Sequence, residues 1–404
     1  MAGVSRDTRV NALIGTGHFL SHFYVLCLPP MFLFWKDEFG VSFGELGLAV
    51  ALMSGTTAVL QTPVGFLVDK HGARHFLVGG TLLMTLAMAA MGLASAYWQI
   101  LALAVVSGIG NSVIHPADYA ILSGSISKER MGRSFAIHTF NGNLGFAVAP
   151  PVMIWLAALV GWRESLMLVG LLGIPLVLAI LLQSRILNDQ AKPAKAEGAP
   201  SGSALLMTRP MLLFFTFFLL SSMAGGGVQS WLITVLHTVH GLDLASASSA
   251  LTAYMVGATA GVLVGGYFAD RLSNHLLFAS VAVLLAAGFV LVVGLVSMPG
   301  VVVIGMMLGG GIALGASRTP RDMMVRDASP PGQIGKVFGF VSAGLPLGGA
   351  LTPVPFGWLI DRGRPDLVLV LVAGILVLSL FCAGSAQAAQ KAAAHRARVA
   401  VAAE

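Results

Sequence analysis

Charge is what this sequence has least of. Its 404 residues include 23 Lys and Arg and 17 Asp and Glu, 10% of the chain, against about 25% in an ordinary soluble domain. So few charges cannot cover a 41.9 kDa globule in water, and a mean hydropathy of +0.87 points the same way. A soluble enzyme and a large extramembrane domain are both excluded. Cysteine is scarce too: Cys27 and Cys382 are the only two, each inside an apolar run, so no disulfide framework or thiolate metal site is expected. No G-x-x-x-x-G-K-[ST] phosphate cradle occurs, so ATP held by this chain does not drive its work, and no cofactor is implied. The short alternating strands of a membrane β-barrel, about 10 residues each, are missing as well. MAGVSRDTRV leads into a long aromatic apolar run without a small-residue cleavage site, which reads as a retained first helix.

What is present is apolar sequence, 56% of the chain. A helix crosses the hydrocarbon core with about 20 such residues. Apolar segments fall near 11–34, 44–67, 75–96, 98–121, 134–158 and 164–184, then near 209–236, 246–269, 276–297, 299–323, 335–359 and 367–387. The pattern predicts an all-α membrane protein of twelve transmembrane helices in two pseudo-symmetric six-helix bundles, residues 1–185 and 209–388. Between them, residues 186–208 contain DQAKPAKAEGAPSGS, a linker too rich in Pro, Gly, Ser and Lys to bury a core. Residues 389–404 form a tail, either a short interfacial helix or disordered.

Lys and Arg concentrate in the termini, the linker and every second loop, whereas the other side of the membrane receives Lys36, Arg163, Arg362 and Arg364. Cytoplasmic loops retain such residues. Both termini are therefore expected in the cytoplasm, with the chain multi-pass in a bacterial inner (plasma) membrane. Topology explains the pI of 9.6, and the lipid bilayer rather than nucleic acid is the implied partner. Shifting the second half onto the first by about 203 residues brings Gly108-Ile109 over Gly311-Ile312 and Pro150 over Pro353. The halves read as parallel repeats with a cavity between them.

The segment GFLVDKHGAR resembles the signature loop of the major facilitator superfamily, with matches at Gly65, Leu67, Asp69, Lys70, Gly72 and Arg74. GGYFADRL, with Gly266, Asp270 and Arg271, is a degenerate second copy. GNSVIHPADYAILSGSI and FNGNLGFAVAP are similar to the fosmidomycin-resistance type of carrier in that superfamily, on its organic-anion side. The resemblance implies the twelve-helix fold and alternating access. It implies a gate at the signature loop, where Asp69 receives the N-terminus of helix 11 and Arg133, latching an outward-open state. Asp270 and Arg271 repeat this in the second half.

Ionisable side chains near a bilayer centre cost about 2.5–3.5 kcal/mol or more and are expected to face protein or a wet cavity. Arg318 and Arg321 in ALGASRTPRDMMV share one helix face, and in the repeat alignment they oppose His115 and Asp118. Two guanidiniums make a fork suited to carboxylate or phosphonate. His18 and His22, one turn apart, offer donors or a proton site. Metal binding is not expected there, because no third acidic or thiol ligand lies nearby in the sequence. His138, Asn141 and Asn143 add polar atoms on helix 5, and Tyr24, Gln229, Trp231 and Tyr254 are candidates for the cavity wall.

These residues predict a secondary active transporter for a small organic anion, not an enzyme, expected to work as a monomer. Arg318, Arg321, His18, His22, His115, Asn141, Tyr24, Trp231 and Gln229 are the substrate-binding candidates, and Asp118, His115 and His22 the proton-coupling ones. Gly65, Asp69, Lys70, Arg74, Arg133, Asp270 and Arg271 are the gating candidates. A proton-driven multidrug exporter with a permissive cavity is the alternative.

Overall fold

Hydrocarbon offers no water to backbone N–H and C=O groups, so a spanning segment satisfies them within itself. In the computed structural model every regular element among the described residues is accordingly a helix. The structure describes residues 6–126, 130–188, 203–269, 271–272, 274–328, 337 and 340–403; of these, 66, 69–70, 123, 131–133, 135–136, 184, 203–204, 391 and 393–403 are described in backbone alone.

Among the described residues, twelve helices are long and apolar enough to span a membrane: α1 Arg6–Phe39, α2 Phe43–Gly65, α3 Ala73–Met91, α4 Tyr97–Leu122, α5 Ile137–Val160, α6 Trp162–Leu182, α7 Arg209–His240, α8 Leu244–Ala269, α9 His275–Leu295, α10 Gly300–Ala328, α11 Phe340–Asp361 and α12 Asp366–Gln390. This is a multi-pass membrane protein.

Local chemistry sets the ends. The Ser42 hydroxyl accepts from the Glu45 amide while the Glu45 carboxylate accepts from the Ser42 amide, a reciprocal box that starts α2. Gly40 and Gly241, at φ of 65° and 64°, close α1 and α7 at corresponding places in the two halves. Inside α1 the Pro29-Pro30 pair interrupts the helix with a 3-10 turn, so the span runs beyond the expected 11–34 and carries a break.

Two further departures matter for the site. The signature segment is helix rather than loop: α2 continues without interruption to His71, and the turn shrinks to Gly72 at φ 89°. Nothing between Gly65 and His71 stops a helix. In α10 the helix divides into Gly300–Ala316 and Arg318–Ala328. Ser317 bonds back to Leu314, and Pro320 has no N–H to continue the ladder.

Within the first half α1 packs on α5, α4 on α2 and α3, and α3 on α6; within the second α7 packs on α11 and α12, and α8 on α10. The α8–α10 contact is a close one: Gly257, Gly261 and Gly265 lie against α10 backbone, and Gly311 and Gly315 against Tyr254 and Ala258. Any side chain there would collide, so small residues fix α10 up to the point where Arg318 begins its second segment.

The halves meet along α2–α11 and α5–α8. At the face opposite the termini they are sealed. The Phe43 and Gly44 amides donate to the Asp361 carboxylate at 2.6 and 2.7 Å, so the end of α11 caps the start of α2. Trp231 donates from Nε1 to the Pro353 carbonyl at 3.0 Å and packs on Phe32 and Phe43. Gly47 faces the Pro353 carbonyl and Gly357 that of Phe43, approaches that no larger residue permits.

Candidate functional site

Between the halves lies a cavity of about 320 Å³, bounded by His22, Asn143 and Phe146 from the first half and by Gln229, Tyr254 and Arg318 from the second. From mid-depth it extends along α10 towards the face carrying the termini, with Arg321 and Leu345 on that side. Its size suits a small molecule.

The two arginines have different fates. Arg321 is spent on neighbours: it pairs with the Asp322 carboxylate at 3.0 Å and lies 4.0 Å above the Phe218 ring. Arg318 faces the cavity half-buried and, among the described residues, makes no hydrogen bond and no ion pair, although the charge of Asp322 acts on it from beside Arg321. The expected fork is therefore one free guanidinium beside a neutralised one. The break at Ser317 puts Arg318 at the head of the second helical segment, and the glycine-packed first segment holds it there.

On the opposite wall α1, α4 and α5 bring four imidazoles together. The His18 ring stacks on His138 at 3.7 Å and lies 4.3 Å from His22 and 4.9 Å from His115. Asp118, wholly buried, lies 3.0 Å from His138 Nε2 and 3.8 Å from His18 Nδ1. Gly142 makes the arrangement possible, because a side chain there would strike His18 and His22. His22 alone of the four rings lines the cavity. A carboxylate at this depth is costly unless paired, and the imidazoles supply the pairing. His138, noted in the sequence without an assigned role, is Asp118's closest partner.

Of the remaining candidates, Gln229 lines the cavity. Asn141 packs against Gly15 of α1, and Asn143 reaches the cavity in its place. Tyr24 donates to the Val169 and Gly170 carbonyls and holds α1 to α6. Trp231 belongs to the seal, since its indole N–H finds the Pro353 carbonyl. A side chain at Gly65 would come into contact with Pro116, and Arg74 is half-buried at the start of α3. The side chains of Asp69, Lys70 and Arg133, and the whole of Asp270, lie outside the described residues. Arg271 stays local, stacked on Tyr267 at 3.6 Å and bonded to its carbonyl. Sequence reasoning missed Asp361 altogether, although a signal existed: Gly357, Asp361 and Arg362 repeat the spacing of Gly65, Asp69 and Lys70.

A family model described as Major Facilitator Superfamily matches residues 14–311 and 236–398. The chain is 26% identical over 292 residues to the "Probable L-galactonate transporter" of Escherichia coli K12, a match spanning 67% of this chain and 64% of that protein. It is 25% identical to the "Probable sulfoacetate transporter SauU" of Cupriavidus necator over 84% of both chains. It is 23% identical to the Fosmidomycin resistance protein of Escherichia coli K12 over 91% of this chain and 90% of that one. Among solved structures, a bacterial homologue of the human lysosomal transporter Spinster, inward-facing and occupied, superposes with a TM-score of 0.76 at 14% identity, covering 97% of this chain and 98% of its own. A point mutant of the nucleoside transporter NupG superposes with a TM-score of 0.77 at 15% identity, covering 95% and 100%. At such identities the structures speak for the fold alone. The family model, the relatives and the twelve helices around a central cavity agree: this chain is a membrane transporter of the major facilitator superfamily.

Proposed function

We propose that the protein carries small organic anions across the membrane by alternating access, with Arg318 as the principal substrate ligand. One observation carries this reading: a permanent cation faces the central cavity, and no carboxylate among the described residues forms an ion pair with it. Such a charge is expensive at this depth, and a carboxylate, sulfonate or phosphonate completes it through charge-assisted, bidentate hydrogen bonds. Gln229, Asn143, Tyr254 and Ser317 add neutral hydrogen-bonding groups around it. Two relatives are named for L-galactonate and sulfoacetate, both small anions, which supports the same class.

With the termini in the cytoplasm, as the Lys and Arg distribution requires, the Asp361 seal closes the outer face and the cavity serves the inner one. Rocking the halves about the α2–α11 and α5–α8 contacts alternates that access. A drug-export reading draws on the relative named for fosmidomycin resistance. It predicts a different substrate profile.

Reconstitution in proteoliposomes tests the proposal. Counterflow is measured with carboxylates, sulfonates, phosphonates and lipophilic cations, with and without an imposed proton gradient, for the native chain and Arg318→Ala. Anion-selective flux lost in the variant is the expected result. Flux that follows the proton gradient identifies proton coupling, and flux that needs an anion on the opposite side identifies exchange. Efflux of lipophilic cations indifferent to Arg318 overturns the proposal.

A further inference from the structure

The geometry points to a site for one divalent transition-metal ion of the Zn²⁺ class, held by His18 and His22 of α1 and His115 of α4 at the wall of the cavity. Spacing along the chain does not reveal it: His18 and His22 share a helix face, but the third ligand arrives from another helix. In the fold each of these three side chains offers a ligand nitrogen, and all three nitrogens lie within 4.8 Å of one another. Tetrahedral ligands at 2.0–2.1 Å from zinc stand about 3.4 Å apart, so modest side-chain rotations complete the triad.

Three further observations favour a metal over simple packing. First, His22 Nδ1 is buried without a hydrogen-bond partner, where polar atoms are normally satisfied. The cluster thus has ligand capacity that its internal contacts leave unused. Second, a supporting layer stands behind the triad: Asp118 is 3.8 Å from His18 Nδ1 and is itself bonded to His138 at 3.0 Å. A carboxylate behind a histidine is what fixes ring orientation and basicity in metal centres. Third, His22 borders the cavity, which supplies an entry path and leaves a fourth coordination position facing the passage.

Ligand chemistry selects the ion. Imidazoles suit Zn²⁺, Ni²⁺ or Cu²⁺, whereas Mg²⁺ and Ca²⁺ require oxygen donors. The site lies in the half opposite Arg318, so it stands or falls separately from the anion proposal.

The test uses the full-length chain purified in detergent without a polyhistidine tag and stripped with chelator. Equilibrium dialysis against Zn²⁺ is expected to give one saturable ion per chain. Affinity falls at least tenfold in His22→Gln and in His115→Gln, and roughly 10- to 100-fold in Asp118→Asn, which acts from behind the ligands. Arg318→Ala keeps one Zn²⁺ while losing anion flux, which separates the two proposals. Co²⁺ supplies a readout on the native chain alone: a strong visible d–d band of a tetrahedral complex is expected, displaced by Zn²⁺. Absence of saturable Zn²⁺ binding, a weak octahedral Co²⁺ spectrum, or full binding in the His22→Gln, His115→Gln double variant overturns the inference.

Discussion

The two halves place ionisable groups at matched positions and treat them in opposite ways. In the first half His115 and Asp118 are drawn into a cluster closed on itself: Asp118 is fully buried and bonded to His138, and the imidazoles stack around it. In the second half the residues in corresponding register, Arg318 and Arg321, both lie just past a helix break at Ser317. One is tied to Asp322 and the other is left facing the cavity. Duplication fixed the depth of these residues, and the chemistry at that depth then diverged. One wall gives its buried carboxylate a partner within the protein, and the other turns a guanidinium towards the cavity.

The largest effect that breaks this contrast is removal of Arg318. Charge-assisted hydrogen bonds contribute about 1.5–3 kcal/mol each, so losing a bidentate pair in Arg318→Ala lowers anion counterflow about 100-fold or more. Arg318→Lys keeps the charge without the fork and is expected to retain an intermediate rate, read in the same assay.

On the opposite wall, Asp118→Ala leaves His138 without its closest partner in the membrane interior. A cost of about 1–3 kcal/mol follows, seen as a lower thermal midpoint in detergent. Asp118→Asn, which keeps a hydrogen-bonding side chain, loses less. An unchanged midpoint in Asp118→Ala contradicts a stabilising Asp118–His138 bond.

The seal between the halves is the next test. Asp361→Ala removes a helix cap contributed across the interface, at about 0.5–2 kcal/mol. Leu46, wholly buried near the start of α2, reports on it. In a chain with Cys27 and Cys382 replaced by Ala, a cysteine substituted at Leu46 is expected to label roughly 2- to 30-fold faster once Asp361 is gone. The smallest effect belongs to Asp322→Asn. Its partly exposed pair with Arg321 contributes about 1 kcal/mol at most, so freeing Arg321 strengthens anion binding no more than a few-fold.

The spans and their order were legible in the sequence, because long apolar runs broken by loops at regular intervals leave little else for a chain in lipid to form. Arg318 was legible for the complementary reason: a charge inside such a run is conspicuous. What periodicity could not convey was how each charge is used. Arg321 and Asp322 are adjacent in sequence and do not share a regular helix face, yet their side chains pair at 3.0 Å. The spacing of His18 and His22 marked one helix face, but convergence with His115, His138 and Asp118 depends on how α1, α4 and α5 pack. Trp231 looked like a cavity aromatic and is part of the seal, because its N–H reaches the Pro353 carbonyl of α11. Asp361 carries the glycine–aspartate spacing of the signature motif, but its role appears only when folding sets it against the Phe43 and Gly44 amides, far away in sequence.

A structure of the protein with a transported anion bound tests the central claim most directly, through the distance from the Arg318 guanidinium to the ligand. The account predicts two ligand oxygens at about 2.7–2.9 Å from that guanidinium, within the cavity that His22 and Gln229 border. An anion bound elsewhere, or Arg318 closed onto a protein carboxylate while the anion is present, contradicts it.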